Sequence, residues 1–162
     1  MPWFRRPEPA PPGPTGLDAD PADSPEALRA AITSVNRLVN ASAGRLPLVA
    51  VVTARRITDL LSEVVDTSDV RPLDVYAVIS VRAAVTDYLP TTLRSFLALD
   101  EELVDVPRGT GRTPVESVQE QLDVLEDSAV AVLDAAQQQD VDALMTQGNF
   151  LRTKFSRSDL DL

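Results

Sequence analysis

The residues best suited to chemistry lie between positions 108 and 114, where two arginines, two glycines and two threonines precede a predicted helix. Backbone N–H groups at a helix N-terminus favour an anion, and guanidinium groups bind phosphate oxygens in pairs. The segment therefore predicts a phosphate or oxyanion site formed by Arg108, Gly109, Gly111, Arg112 and Thr113. A flexible connection between two helices explains the same residues, and the spacing is not that of a P-loop.

A second candidate lies at the N-terminal tip, where Trp3 and Phe4 precede Arg5 and Arg6. Eight of the 13 prolines fall within the first 25 residues, and the residues between them are mostly small or charged. Such a segment buries too little apolar surface to offset the entropy of ordering, so residues 1–23 are expected to form a disordered tail. The two aromatic residues suggest a motif that docks on a partner or touches a membrane interface. A disordered end without a role is the alternative.

Four carboxylates, Glu116, Glu120, Asp123 and Asp127, share one side of a predicted helix. A solvated face is the preferred interpretation, because metal-binding carboxylates of helical bundles project into the core and usually have His beside them. The chain contains neither His nor Cys, which removes the usual general base and all thiolate chemistry. We therefore expect no metal, no cofactor and no catalytic residue.

Charge and hydropathy restrict the partners further. The chain carries 25 acidic and 15 basic residues, a net charge of −10, which argues against binding to nucleic acid or to an anionic membrane surface. The longest apolar run, residues 46–52, is far shorter than a membrane span, and no signal peptide precedes it. These features predict a cytoplasmic protein.

Helical periodicity predicts an all-α bundle of about five helices, residues 24–155, followed by a frayed end at 156–162. A first helix begins at the Ser24 cap and stops near Gly44. A second covers 47–65. Its predicted buried face consists of Val51, Val52, Leu60, Leu61 and Val64.

The stretch from Pro72 to Leu99 is apolar on nearly every side, so it predicts a helix with neighbours on several sides. Pro90 removes a backbone donor and predicts a kink or restart there. One side of this helix is apolar enough to meet a second copy of the chain, which leaves a homo-oligomer open.

The C-terminal half predicts two more helices. Thr113 and Glu116 form a capping box before a long stripe of apolar residues, and Asp140 caps the last helix. Gly148 lies within the apolar stripe of that helix and predicts a close helix approach. The stripe of the first of these helices consists of Val115, Val118, Leu122, Leu125, Ala129, Val132, Leu133 and Ala136.

Several short blocks between residues 88 and 155 resemble the XpaC-like family, which is named for 5-bromo-4-chloroindolyl phosphate hydrolysis. The resemblance implies a mostly helical cytoplasmic protein associated with the toxic-anion resistance family and with cell-envelope stress. The family name suggests phosphate-ester hydrolysis, but the resemblance carries over no catalytic residue. The blocks are Tyr88-Leu89-Pro90, Thr92-Leu93, Phe96-Leu97, Gly111-Arg112-Thr113, residues 120–126 and 140–144, Phe150-Leu151 and Lys154-Phe155.

Two hypotheses follow. The favoured one is a non-enzymatic helical adaptor in a stress-response complex, with a toxic-anion resistance protein as the partner that the resemblance implies. The alternative is a protein that binds or hydrolyses phosphate esters at the Arg108–Thr113 loop.

Overall fold

The computed structural model describes residues 20–109 and 111–157, and this part of the chain is all-α, as predicted. Six α-helical segments follow one another: α1 (Pro25–Ser42), α2 (Leu48–Asp66), α3 (Val75–Ala83), α4 (Leu89–Leu97), α5 (Pro114–Gln138) and α6 (Val141–Arg157). A π-helical turn, Ala84–Tyr88, joins α3 to α4, so these two segments form one continuous rod and the bundle has five rods. No strand occurs within the described ranges.

Local signals start the helices where the sequence predicts. The Ser24 hydroxyl accepts a hydrogen bond from the Ala27 N–H at the start of α1. At the start of α5, the Thr113 hydroxyl accepts from the Glu116 N–H while the Glu116 carboxylate accepts from the Thr113 N–H, which completes the predicted capping box. Such caps satisfy backbone donors that have no partner within the helix.

The interruption predicted at Pro90 takes the form of the π turn. The Leu89 N–H donates to the Ala84 carbonyl five residues earlier instead of four. This wider turn contains one extra residue before the proline. In a regular helix, the proline ring would clash with the backbone carbonyl of the preceding turn. The chain therefore stays helical across the proline, and Pro90 itself is buried.

The rods alternate in direction along the bundle. Asn36 contacts Thr58 and Asn40 contacts Arg55, so α1 and α2 are antiparallel. Gln119 of α5 contacts Thr53 of α2, and Glu126 pairs with Arg56 further along both helices, so these two helices run parallel. They share the most extensive helix interface of the fold.

The α3–α4 rod contacts every other rod, which confirms that it has neighbours on several sides. The predicted stripe of α5 faces the core, with Val118, Leu122, Leu125, Ala129, Val132 and Leu133 buried. The last rod, α6, lies outside the four others and packs against α3 and α5.

Three details differ from the sequence-based predictions. Val52 was placed on the buried face of α2, but its side chain is 59% exposed, and Thr53 and Thr58 are buried on that helix instead. Residues 21–23 were assigned to the disordered tail, yet they form a 3-10 turn, and α6 continues to residue 157, past the predicted domain end. Within the described residues, no helix combines the length and apolarity required to cross a membrane.

Candidate interaction site

A groove runs along the seam between α3 and α6, and we call it the α3–α6 groove. Ser80 of α3 lies next to Gly148 of α6, and the ring of Tyr88 stacks on that of Phe155 with a centroid distance of 4.9 Å. Residue numbers therefore increase in the same direction along both walls, so the two helices run parallel. The groove has a volume of about 190 Å³ and is lined by Tyr76, Ile79, Ser80, Ala83, Tyr88, Leu144, Met145, Gly148, Asn149, Leu151 and Arg152.

The walls of the groove expose apolar side chains. Ile79 of α3 is 45% exposed and Met145 of α6 is 38% exposed, and the two face the same cavity. Val75 and Val141 lie one turn earlier on the two helices, are also exposed, and line an adjoining cavity. Apolar side chains that cluster in a concave surface mark a binding site more often than single exposed ones do.

The base of the groove contains a polar group without a partner. Ser80 is 4% exposed, and its hydroxyl makes no hydrogen bond within the described structure. An unpaired buried hydroxyl costs about 1–3 kcal/mol in proteins, so most are paired. The Ser80 hydroxyl is therefore a buried, unsatisfied hydrogen-bonding group beneath the exposed apolar walls.

Gly148 faces Ser80 across the seam between the two helices. A Cβ added at Gly148 would lie 3.5 Å from the Ser80 Oγ, which is an ordinary van der Waals distance. The two helices do approach here, as predicted, but this contact does not require glycine on steric grounds.

The size of the groove limits what it accepts. Sites for drug-sized ligands and cofactors usually measure about 300–1,000 Å³, whereas a dry cavity of about 150 Å³ holds benzene. A groove of about 190 Å³ therefore suits a single apolar or aromatic side chain better than a cofactor.

Tyr88 closes one end of the groove, close to the charged residues Asp87 and Arg152. Partial burial raises the pKa of the Tyr88 phenol, the Asp87 carboxylate raises it further, and Arg152 opposes the shift. Arg152 also donates a hydrogen bond to the Asn149 Oδ1 at 3.0 Å. At this end of the groove the neutral Tyr88 phenol thus lies between the anionic Asp87 of the α3–α4 rod and the cationic Arg152 of α6.

The predicted anion site has a different geometry from the one that an anion requires. In the first turn of α5, the Thr113 N–H donates to the Glu116 carboxylate, the Glu116 N–H to the Thr113 hydroxyl, and the Val115 N–H to the Val104 carbonyl. The Ser117 N–H continues the helix by donating to the Thr113 carbonyl. These four donors are therefore already used, and the Glu116 carboxylate occupies the place where an anion would bind.

The two arginines of that loop have interactions of their own. The Arg112 guanidinium pairs with Glu120 on the next turn of α5, and the Arg108 N–H donates to the Arg112 carbonyl. Gly111 has φ = 78°, a left-handed conformation that favours glycine and that closes the turn. Gly111 thus has a structural role, and anion binding by Arg108, Gly109, Gly111, Arg112 and Thr113 stays a prediction.

The four carboxylates of α5 lie on its exposed face. Glu116 caps the helix, Glu120 pairs with Arg112, and Asp123 accepts a hydrogen bond from Gln119. Among the described residues, no group of three or more metal-ligating side chains could hold an ion.

The docking residues predicted at the N-terminal tip, Trp3, Phe4, Arg5 and Arg6, lie outside the described residues. The α3–α6 groove itself was not identified from the sequence. Its only signal there is the apolar character of α3 on nearly every side. Ser80 and Met145 carried no signal, because a serine and a methionine in a helix are unremarkable.

Comparisons of this chain with protein-family models, with curated proteins and with solved structures find no match. The resemblance to the XpaC-like family accordingly stays a prediction.

Proposed function

We propose that this chain is a non-enzymatic helical adaptor that binds a protein partner through the α3–α6 groove. The observation that carries the proposal is the concave apolar surface formed by Ile79 and Met145 above the unpaired Ser80 hydroxyl. Protein interfaces gain most of their affinity from a few aromatic or apolar anchors that fill such pockets. The partner would insert one side chain of this kind, carried on a helix or an extended segment.

The chemistry of the buried side chains supports a binding role. The buried polar side chains in the described part of the chain are Thr53, Thr58, Ser80, Thr92 and Ser128, all of them hydroxyls. None is an acid or a base that titrates near neutral pH, whereas active sites typically place such groups in partly buried positions. The lack of His and Cys in the sequence points in the same direction.

The biological setting is part of the proposal and depends on the resemblance alone. An XpaC-like protein would act in a toxic-anion or cell-envelope stress response, and its partner would be a toxic-anion resistance protein.

Site-specific crosslinking in the source cells tests the groove directly. A photoreactive phenylalanine analogue at position 79 is expected to form an adduct with a protein partner, and Met145→Glu is expected to abolish that adduct. The same analogue at position 52 is the matched control, because Val52 is exposed on α2 at a distance from the groove. An adduct that persists in Met145→Glu, or that forms only from position 52, contradicts the proposal. An adduct of twice the chain mass of 17.5 kDa identifies a second copy of the chain instead.

A further inference from the structure

We propose that in the absence of a partner the chain's own Trp3 occupies the α3–α6 groove. This inference rests on the proposed function, because it places a competitor at the same surface. It makes the N-terminal segment a regulator of partner binding.

The N-terminal segment joins the fold beside the groove. The Arg82 guanidinium of α3 holds the 3-10 turn at residues 21–23, with 2.8 Å to the Asp23 carboxylate and 3.7 Å to that of Asp20. Arg82 follows Ile79 by three residues, so the two side chains are neighbours on the helix surface. The segment that contains Trp3 therefore enters the described structure about one helical turn from the wall of the groove.

The size and shape of the groove match an aromatic side chain. The groove of about 190 Å³ suits one aromatic side chain. Trp3 and Phe4 are the only aromatic residues outside the described ranges, and Trp3 is the only tryptophan of the chain. Met145 on one wall is unbranched and adapts to the shape of a bulky ring.

Length and charge are compatible with docking within one chain. Sixteen residues separate Trp3 from Asp20, and a chain extends at most by about 3.3–3.6 Å per residue, which is ample for a groove one turn away. Arg5 and Arg6 follow the aromatic pair, and the remainder of the chain has a net charge of −12, the total of −10 less these two positive charges. Asp74 and Asp142, in the N-terminal turns of the two parallel groove helices, provide acidic groups at one end.

Intrinsic fluorescence tests the inference, because the chain has a single tryptophan. In the native protein the Trp3 emission is expected to be blue-shifted relative to free tryptophan in water, with acrylamide quenching several-fold weaker. Ile79→Glu and Met145→Glu are each expected to restore water-like emission and quenching. Val52→Glu is the matched control and is expected to leave both unchanged. Circular dichroism of every variant verifies that the helices are retained.

Each other outcome has a defined meaning. Water-like emission in the native protein overturns the inference, as does a blue shift that responds to Val52→Glu and to neither groove variant. A blue shift that depends on protein concentration indicates docking between copies and overturns docking within one chain. The crosslink at position 79 separates the two proposals: a partner adduct that increases in Trp3→Ala supports both. A partner adduct with a water-exposed Trp3 retains the function and removes the inference, whereas a buried Trp3 without any partner adduct removes the function alone.

Discussion

Two buried threonines provide a sharp test of the packing, because they differ only in hydrogen bonding. Thr92 of α4 and Thr58 of α2 are both 0% exposed. The Thr92 hydroxyl has no partner among the described residues, whereas the Thr58 hydroxyl lies 2.8 Å from the Asn36 Oδ1 and 2.7 Å from the Arg55 carbonyl oxygen. Valine has nearly the same shape as threonine, so Thr→Val substitutions at the two positions isolate the hydroxyl group.

Thr92→Val is expected to stabilise the protein. It removes a buried unpaired hydroxyl, which costs about 1–3 kcal/mol, and adds apolar surface in its place. We expect the free energy of unfolding to rise by about 1–2 kcal/mol. Thr58→Val is expected to lower it by about 1–2 kcal/mol, because it removes a paired hydroxyl and leaves the Asn36 amide oxygen without that partner.

Urea denaturation followed by circular dichroism measures both changes. If the slope of the unfolding free energy against urea concentration is unchanged, the substitutions do not affect the denatured state. The opposite signs are the essential result. If both substitutions destabilise the protein by a similar amount, the Thr92 hydroxyl has a hydrogen-bond partner in solution and the reasoning is refuted.

Other substitutions test single features of the fold. Gln139 ends α5 with φ = 60°, so Gln139→Gly is expected to raise the free energy of unfolding by about 1 kcal/mol in urea titrations, and a loss would contradict the left-handed cap. The raised pKa of Tyr88 favours the neutral phenol in the folded state, so its contribution to stability is complete below pH 10 and is lost as the pH rises through the folded-state pKa. Stability should therefore fall less steeply above pH 10 in Tyr88→Phe than in the native protein, and identical slopes would show that burial does not shift this group. Calorimetric titration with phosphate and tellurite tests the anion-site prediction, and affinity that disappears in Arg112→Ala would support it.

The sequence predicted the helix ends well because they depend on neighbouring residues. Ser24, Thr113 and Pro90 act on backbone groups within a few positions of themselves, so their effects are encoded locally. The long stripe of α5 was equally predictable, since apolar residues recur on one face from Val115 to Ala136, about six turns.

The buried face of α2 shows where periodicity fails. Val52 is apolar and Thr53 is polar, so the pattern assigned the wrong one to the core. In the structure, Thr53 accepts a hydrogen bond from Gln119 of α5. A threonine that finds such a partner across a helix interface can replace an apolar residue there, and that partner is distant in sequence.

The candidate site depended on the same kind of distant information. The exposure of Ile79 is set by where α6 packs on α3, and no local pattern determines that position. The anion-site prediction, in contrast, rests on a local pattern, and the Glu116 carboxylate and Glu120 compete with an anion for the same donors.

The π turn at Ala84–Tyr88 gives the α3–α4 rod an unusual tolerance to changes in chain length. Deleting one residue from an ordinary helix rotates everything beyond it by 100° and turns an apolar face toward water. A π turn already contains one extra residue, so deleting exposed Asp87 would convert it to a regular helix while both flanking faces keep their neighbours. The Pro90 ring would then clash with the backbone carbonyl four residues before it in the shortened helix. This clash would lower the free energy of unfolding by about 3 kcal/mol. We therefore expect the rod to tolerate the deletion of Asp87 only together with Pro90→Ala. The extra residue of the π turn and the proline thus depend on each other.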